Sequence, residues 1–228
     1  MKFVDVHAHM YLLPEMKKEL DEAGISVINC GTNPETNKKV IDSPYHKSLG
    51  WWPLEKGSFE VIKKQIVEND PVAVGEVGLD FYWSKTRRKQ ISQFKKMLGL
   101  AVELGKPVIV HSRRAEKEVV EILSDYDLQV VMHAFTGSNK LVNECVGKEY
   151  FFSVPGIVTR SEQTQGVVKL VPINQLLTES DSPYLGPVKG EKNSPLSIPV
   201  VVKKISEIKG ENVEKKVLSN AKKLFSLK

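Results

Sequence analysis

Residues 3–10 of the chain, FVDVHAHM, begin as a β-strand and end in two histidines. His7 and His9 are two residues apart, so both side chains point to the same face of a strand. The arrangement recurs along the chain, where imidazoles or carboxylates follow other short apolar runs. These are Glu76 after PVAVG, His111 after PVIV, His133 after QVVM and Asp181 after LLTES. Four of the five histidines therefore occupy the ends of expected strands.

Short β-branched runs alternate with amphipathic helical segments along the whole chain. The pattern predicts eight strands, at Phe3–Val6, Ser26–Cys30, Lys47–Trp51, Val72–Gly75, Val108–Val110, Gln129–Met132, Tyr150–Ser153 and Gln175–Thr178. Near-continuous apolar strands, each followed by a helix, are typical of a parallel sheet covered on both faces. Eight such strands predict an α/β fold of the (β/α)8 TIM-barrel type. A doubly wound open sheet is the alternative, but only barrel closure brings the first and last strands together.

Several helix boundaries have clear signals. Asn33 is a favoured N-cap residue, and Pro34 suits the first helical position. A long helix is expected from about Arg87 to Leu104, ending at Gly105 in a left-handed conformation. The last helix is expected to begin near Asn212.

Composition limits the class of protein. The 228 residues are 41% hydrophobic and 27% charged, which predicts one globular domain spanning residues 1–228. No apolar run is long enough for a membrane span, and two cysteines make no disulfide framework, so we expect a cytoplasmic protein. The net charge of +5, with lysine pairs spread along the chain, favours solvated helix faces over a dedicated nucleic-acid surface. Nothing in the sequence indicates an obligate protein partner.

The strand-end residues point to a metal centre. In a TIM barrel the carboxyl ends of the strands form the rim that carries the active site. Six candidate ligands then meet there, namely His7, His9, Glu76, His111, His133 and Asp181. Four imidazoles and two carboxylates suit zinc or manganese, and magnesium less well. Two such ions about 3.5–4 Å apart, bridged by a carboxylate, can activate a water molecule for hydrolysis.

Each of these residues has an ordinary structural explanation when it is considered alone. A single histidine at a strand end is more often a hydrogen-bonded core residue than a metal ligand, and Glu76 alone can pair with an arginine. Six such residues at corresponding strand ends disfavour that explanation for the set. His46, in the segment DSPYHK, lacks this context and is expected to be a loop histidine.

Other polar and aromatic residues are expected on the same rim. Arg113 follows His111 by two residues, and a guanidinium there suits a phosphate or carboxylate, although a surface position at a helix start fits the spacing equally. In GEVGLDFYW, the side chains of Asp80, Tyr82 and Trp83 are expected in the loop above the fourth strand. These aromatic rings would either stack on a base or roof the barrel.

The motifs DVHAH, GEVGLDFYW, PVIVHSR, HAFTGS, FFSVPGIVTR, LLTESDSPYLGP and GEKNSP resemble, in this order, the TatD family of metal-dependent deoxyribonucleases. That family is a TIM-barrel branch of the amidohydrolase superfamily, and the likeness covers essentially the whole chain. It implies that one ion is held by His7, His9 and Asp181, the other by His111 and His133, with Glu76 bridging them. It also implies that four residues lie near the substrate phosphate and nucleotide, namely Asp80, Tyr82, Arg113 and Asn193.

The chain departs from the family pattern at the end of the third strand. Gly-x-His-Pro is usual there, whereas this chain has Gly50-Trp51-Trp52-Pro53. Trp52 replaces a histidine that faces the substrate, so a hydrogen bond is exchanged for stacking surface. The loops after the first and third strands are also short, which affects the expected substrate preference but not the metal centre.

The resemblance implies a metal-dependent hydrolase of nucleic-acid phosphodiester bonds, acting as a 3′–5′ exonuclease on single-stranded DNA. Asp181 would orient or deprotonate the attacking water, and Glu76 would hold both ions. The alternative is C–N or ester hydrolysis, as in dihydroorotases or in deacylases of mischarged tRNA. Many two-metal amidohydrolases have a carboxylated lysine where this chain has Glu76, which favours the nuclease branch. A metal-binding scaffold without activity is disfavoured by the complete ligand set.

Overall fold

A computed structural model describes all 228 residues and contains one parallel sheet of eight strands. The strands are β1 (Phe3–Ala8), β2 (Ile25–Cys30), β3 (His46–Leu49), β4 (Ala73–Asp80), β5 (Val108–Arg113), β6 (Val130–His133), β7 (Phe151–Val154) and β8 (Leu176–Thr178). Each strand pairs in parallel with the next one along the chain. This strand order is that of a (β/α)8 barrel.

Helices follow every strand and cover the outside of the sheet. They are α1 (Lys17–Ala23), α2 (Pro34–Ile41), α3 (Phe59–Asn69), α4 (Arg87–Leu104), α5 (Glu116–Leu123), α6 (Asn139–Gly147), α7 (Glu162–Leu170), α8 (Ile198–Lys209) and α9 (Glu214–Leu224). Asn33 caps α2, and Gly105 ends α4 with a φ of 61°, as the sequence predicted. None of these helices combines the length and the apolar composition that crossing a membrane requires.

The barrel closes where β1 meets β8. The Thr178 hydroxyl donates a hydrogen bond to the Val4 carbonyl over 2.7 Å, and the Ser180 N–H donates to the Asp5 carboxylate over 2.9 Å. Side chains thus replace part of the backbone ladder at this seam. Beyond it, the Asp181 N–H donates to the His7 carbonyl over 2.9 Å. The predicted TIM barrel is therefore confirmed.

Helix α9 closes the end of the barrel at which the strands begin. Its residues Ala221 and Leu224, followed by Phe225, are buried in one cluster with strand residues that include Val4 and Leu177. The Asn220 amide donates to the Leu176 carbonyl at the start of β8. Because this end is filled with apolar side chains, the open end of the barrel is the one where the strands finish.

Several strands extend beyond the apolar runs that predicted them. β4 continues to Asp80 and β5 to Arg113, where the two residues are register partners. The backbone ladder continues through these polar residues because their amide groups still find partners on the neighbouring strand. Predictions based on apolar runs therefore stopped β4 and β5 too early.

The third strand starts one residue earlier and ends two residues earlier than predicted. His46 begins β3, so its prediction as a loop histidine was wrong, and β3 ends at Leu49 rather than Trp51. The Asn37 side chain hydrogen-bonds to both the N–H and the carbonyl of Gly50, which takes those groups away from the ladder. Gly50 also touches the next strand so closely that a Cβ atom would lie 2.4 Å from the Glu76 backbone nitrogen.

Candidate metal centre

Six side chains at the open end of the barrel bring their nitrogen and oxygen atoms together. They form three overlapping groups whose ligand atoms lie within 4.8 Å of one another. These groups are His7, His9 and Glu76; His7, His133 and Asp181; and Glu76, His111 and His133. The structure therefore gathers all six residues that the sequence proposed as ligands.

Glu76 lies between two pairs of histidines. Its Oε2 atom is 3.6 Å from the Nε2 atom of His7 and 3.6 Å from that of His9. Its Oε1 atom is 3.0 Å from His111 Nδ1 and 3.9 Å from His133 Nε2. Each oxygen of Glu76 thus faces a different pair of imidazole rings.

Asp181 makes the two sides of Glu76 unequal. Its Oδ1 atom lies 3.4 Å from His7 Nε2 and 3.5 Å from His9 Nε2. The His7–His9 side therefore has a carboxylate of its own as well as a share of Glu76. On the side of His111 and His133, Glu76 is the carboxylate nearest to the inward-facing ring nitrogens, and Asp181 lies within 4.8 Å of a nitrogen of His133.

Irregularities in β1 and β4 help to aim these side chains. Between residues 5 and 8, β1 has one residue more than β2 over the same stretch of ladder. Between residues 74 and 77, β4 has one residue more than β5. An extra residue of this kind bends a strand and redirects a side chain, and the two irregularities contain His7 and Glu76.

Gly78 permits the close approach of β4 to β5 beside the ligands. Its φ is +144°, and a Cβ atom there would lie 2.0 Å from the His111 carbonyl oxygen. Only glycine combines this backbone conformation with the absence of a side chain. The second glycine of GEVGL is therefore required to bring His111 and Glu76 onto the same rim.

The outward-facing nitrogens of three histidines have protein partners. His133 Nδ1 lies 2.8 Å from Glu179 Oε2, and His111 Nε2 lies 3.1 Å from Asp80 Oδ2. His9 Nδ1 lies 3.0 Å from the carbonyl oxygen of Cys30. The opposite nitrogen of each ring is the one that faces the central carboxylates.

Glu179 was missed by the sequence analysis. It is fully buried and lies one residue after β8, so it shares the strand-end position of the six proposed ligands. That position was the available signal. Asp181, two residues later, was predicted as a ligand instead, because it belongs to the same motif and completes the ligand set.

The chemistry of these groups fits divalent cations. Both ring nitrogens of His7 are buried without a hydrogen-bond partner, and its Nε2 atom faces the oxygens of Glu76 and Asp181. Buried polar atoms cost free energy unless a partner is present. Imidazole nitrogens and carboxylate oxygens in one cluster are the donors that zinc and manganese prefer. The residues present therefore suit the metal ions that the resemblance implied.

Electrostatics keep the central carboxylates ionised. Burial opposes the charge of Glu76, but the hydrogen bond from His111 and the nearby imidazoles hold its pKa well below the usual range. Burial also opposes the charge of Asp181, whose pKa is held low by His7 and His9. His133 is buried too, yet the charge of Glu179 helps to raise its pKa to about 10. Both carboxylates are therefore available as anionic ligands.

An open cavity of about 880 Å³ lies above these groups. Trp52 lines it, with its ring centre 5.6 Å from that of His111. On the same wall the Arg113 guanidinium lies 4.1 Å from the Tyr82 ring centre and 5.2 Å from that of Trp83. Arg113, Tyr82 and Trp83 are all exposed. Arg113, Trp52 and Trp83 thus line the cavity above the candidate metal centre, and Tyr82 lies beside it against Arg113.

Three residues expected beside the substrate, Asp80, Tyr82 and Asn193, do not line this cavity. Asp80 is the last residue of β4 and is fully buried, so its expected position in the loop was wrong. Its Oδ1 atom accepts hydrogen bonds from the N–H groups of Tyr82 and Trp83, at 2.9 Å each. Asn193 is also buried, and its amide donates to the Ser180 carbonyl over 2.6 Å. Contact of Asp80 and Asn193 with substrate stays a prediction.

Known proteins resemble this chain over nearly its whole length. The sequence profile of the family described as "TatD related DNase" matches residues 4–226. The chain is 32% identical to "Uncharacterized metal-dependent hydrolase MJ1582" of Methanocaldococcus jannaschii, over 94% of this chain and 92% of that protein. It is 37% identical to human "Deoxyribonuclease TATDN3", over 68% of this chain and 60% of that protein.

The fold has equally extensive matches. The crystal structure of YjjV, a TatD homologue from Escherichia coli K12, superposes with a TM-score of 0.87 and 28% sequence identity, over 100% of this chain and 99% of that one. A TatD-family hydrolase from Entamoeba histolytica has the same TM-score and coverage at 19% identity, which shows a shared fold. Together with the gathered histidines and carboxylates, these matches show that the chain belongs to the TatD family of metal-dependent hydrolases.

Proposed function

We propose that this enzyme hydrolyses phosphodiester bonds of single-stranded DNA, removing nucleotides from the 3′ end with two bound divalent ions. The observation that carries the proposal is the position of Glu76, whose two oxygens face two separate pairs of histidines. A cluster of six ligands exceeds what one tetrahedral ion uses. The site also opens into a cavity with a cationic and aromatic wall, which suits a nucleotide chain.

The ions, when bound, would supply a water of lowered pKa and polarise the phosphoryl group. The chain itself contributes the proton acceptor, since Asp181 is an ionised carboxylate beside His7 and His9. Asp181 takes a proton from the attacking water as its oxygen adds to phosphorus. The bond from phosphorus to the leaving sugar oxygen breaks, and that oxygen takes up a proton from solvent water. Arg113 holds the phosphate in place through charge-assisted hydrogen bonds.

The aromatic wall favours single strands over duplexes. Stacking of a base on an aromatic ring contributes about 1–3 kcal/mol per base and is tolerant of sequence. Trp52 and Trp83 line the cavity, Tyr82 packs edge-on against Trp83, and the bases of a duplex are not free to use these rings. A flexible single strand can place its terminal bases there while its phosphate reaches Arg113.

The charge around the site favours a polyanion. We define the basic sector as residues 85–89, where α4 begins, and residues 113–118, which run from the end of β5 into the start of α5. It contains seven Lys or Arg residues and two glutamates, so its net charge equals the +5 of the whole chain. Arg113 and Arg114 both lie over the Tyr82 ring, and Arg87 is 3.6 Å from Glu118, so the two segments are adjacent in space. Such a surface attracts phosphate groups and draws a strand towards the cavity.

The human relative named a deoxyribonuclease supports DNA as the substrate class. DNA hydrolysis by the purified enzyme is the direct test, with zinc, manganese and magnesium supplied separately. Substrates should be 5′-labelled and 3′-labelled single strands, the matching duplex and an RNA of the same sequence. We expect a ladder of shortened 5′-labelled products and immediate release of the 3′ label. Products of random internal cleavage would contradict the exonuclease assignment.

The same preparation should be assayed with dihydroorotate and with a mischarged tRNA. Robust hydrolysis of either substrate, without any cleavage of DNA, would replace the nuclease proposal by the amide or ester alternative. Metal analysis of the active preparation should give up to two ions per chain, and exhaustive chelation should abolish hydrolysis. Activity that survives chelation would contradict the metal-dependent chemistry as a whole.

A further inference from the structure

We propose that Asp80 and Glu179 are positioning residues for the ion that His111 and His133 would hold. Each carboxylate would hold one imidazole in a single tautomer and add negative charge behind it. The proposal rests on the two ions of the proposed function, but it concerns metal binding and holds whichever ester the enzyme cleaves. It rests on the contacts of the two carboxylates and on their distribution around the centre.

Glu179 is built into the protein behind His133. Its side chain is fully buried, its Oε2 atom lies 2.8 Å from His133 Nδ1, and the same oxygen accepts the hydroxyl hydrogen of Ser153. A carboxylate offers only acceptors, so the hydrogen of this contact belongs to Nδ1 of the histidine. The lone pair of His133 Nε2 is then directed towards Glu76 and the centre.

Asp80 lies behind His111 and contacts the other kind of ring nitrogen, Nε2 instead of Nδ1. Its Oδ2 atom lies 3.1 Å from His111 Nε2, while its Oδ1 atom is fixed by the N–H groups of Tyr82 and Trp83. The Gln90 side chain also bonds to both the N–H and the carbonyl of Asp80, over 2.8 and 2.9 Å. The carboxylate therefore cannot turn away. The hydrogen of His111 belongs on Nε2, and its Nδ1 lone pair faces Glu76.

These carboxylates occur only on one side of the centre. On the other side, His9 is backed by the neutral carbonyl of Cys30, and His7 has no partner at its Nδ1 atom. That side already has Asp181 in front of its histidines. The side of His111 and His133 has two carboxylates behind its rings, while in front it has Glu76 and, near His133 alone, Asp181 within 4.8 Å. Carboxylates behind a ligating histidine orient the ring and make it a stronger ligand.

The distribution of charge agrees with this role. Four carboxylates contact the imidazoles, namely Glu76, Asp181, Asp80 and Glu179. Their summed charge of −4 would balance two divalent cations. Asp5 is a fifth buried acid nearby, but its Oδ1 atom accepts hydrogen bonds from the backbone N–H groups of His7 and Ser180. Asp5 is therefore a matched control, because it is buried and acidic without touching an imidazole.

The first test uses the unaltered enzyme loaded with zinc alone. Long-range ¹H–¹⁵N NMR of the histidine rings reports which nitrogen has the hydrogen. We expect His133 to be protonated at Nδ1 and His111 at Nε2, so that the two rings appear as opposite tautomers. Finding both rings in the same tautomer would overturn the proposal, and this readout depends on neither a mutation nor enzyme activity.

The second test compares Glu179→Gln and Asp80→Asn with Asp5→Asn. Each change keeps the shape of the side chain and replaces a carboxyl group by a neutral amide. Zinc retained per chain is measured after equilibrium dialysis against graded concentrations of a chelator. Loss of such an outer contact typically weakens metal binding by about 10–100-fold. We expect Glu179→Gln and Asp80→Asn to weaken the same one of two binding steps, and Asp5→Asn to leave that step unchanged.

Asp181→Asn identifies the other step, because that residue belongs to the His7–His9 side. The proposal is overturned if Glu179→Gln and Asp80→Asn weaken both steps equally, or neither. Circular dichroism shows whether each variant folds, and where one does not, the other variant and the tautomer measurement still decide the matter. A nuclease assay on the same proteins is separate, so failure of DNA cleavage would not be confused with failure of this assignment.

Discussion

The guanidinium of Arg113 lies 4.1 Å from the centre of the Tyr82 ring, at the mouth of the cavity above the candidate metal centre. Both side chains are exposed, although they come from the ends of different strands. A cation stacked on an aromatic ring has fewer rotamers to lose when it binds a phosphate. The pair therefore presents one preorganised surface for a nucleotide.

Replacing Arg113 with alanine should raise KM for DNA and reduce the salt dependence of binding by about one phosphate contact. The physical reason is the loss of one cation with a planar, forked set of donors. Arg113→Lys should restore the salt dependence but only part of the affinity, since lysine binds as a point charge. Lys106→Ala, which removes a cation at the opposite end of the barrel, serves as the control. An unchanged KM and salt slope in Arg113→Ala would rule out this role.

Trp52 should determine how strongly the enzyme prefers strands that contain bases. Its ring lines the cavity beside His111, so Trp52→Ala should weaken binding of single-stranded DNA by about 1–3 kcal/mol. Hydrolysis of an abasic strand should be affected much less, because it has no base to stack. Trp52→Phe should retain part of the preference. Equal losses on normal and abasic strands would show that the ring supports the fold rather than the substrate.

Asp181→Asn should remove most of the activity while much of the metal remains. The change retains the size and one oxygen beside His7 and His9, but it deletes the charge that accepts a proton. General acid–base residues typically contribute about 10²–10⁴-fold, so kcat should fall by at least about 10². Glu76→Gln is the contrasting variant, because loss of the shared carboxylate should lower metal occupancy as well as rate. Near-normal kcat with full metal in Asp181→Asn would remove this residue from the proton transfer.

Metal uptake should release protons and become tighter as the pH rises. Burial lowers the pKa of His133, but the charges of Glu179, Asp181 and Glu76 outweigh burial and raise it to about 10. Metal-free protein near neutral pH therefore holds a proton that an incoming ion must displace, and this competition weakens as the pH increases. Calorimetry in two buffers of different ionisation enthalpy measures the number of protons released. Zinc binding without proton release, equally tight at pH 6 and pH 8, would contradict this expectation.

The positive charge of the basic sector should strengthen the binding of long DNA strands but not of short ones. Arg88 and Lys89 are exposed and lie outside the cavity, so reversing both charges should leave the chemistry itself intact. We expect Arg88→Glu with Lys89→Glu to raise KM for an oligonucleotide while leaving hydrolysis of a dinucleotide unchanged. The paired control is reversal of Lys203 and Lys204 on α8, a lysine pair outside the sector. Equal effects of the two double variants would indicate general electrostatics rather than a path for the strand.

Much of the candidate metal centre was predictable because its residues follow a repeated rule. In a parallel barrel every strand ends on the same rim, so a polar residue after an apolar run has a known location. That rule located His7, Glu76 and His133 without a structure. The same rule could have located Glu179, but nothing in the spacing of Asp80 or Glu179 says which ring nitrogen each of them contacts.

The amino-acid sequence alone was sufficient for the barrel, the eight strands and the six candidate ligands. Periodicity and strand-end position are local properties that can be recognised in the linear sequence. The tertiary structure was required for the strand bounds and for the partners of Asp80. It was also required to show that the His7–His9 pair and the His111–His133 pair have different surroundings. The basic sector required it as well, because its two segments are separated in the chain by α4 but adjacent on the rim. Distances of about 3 Å depend on how strands bend and register, and that geometry arises only when distant parts of the chain pack together.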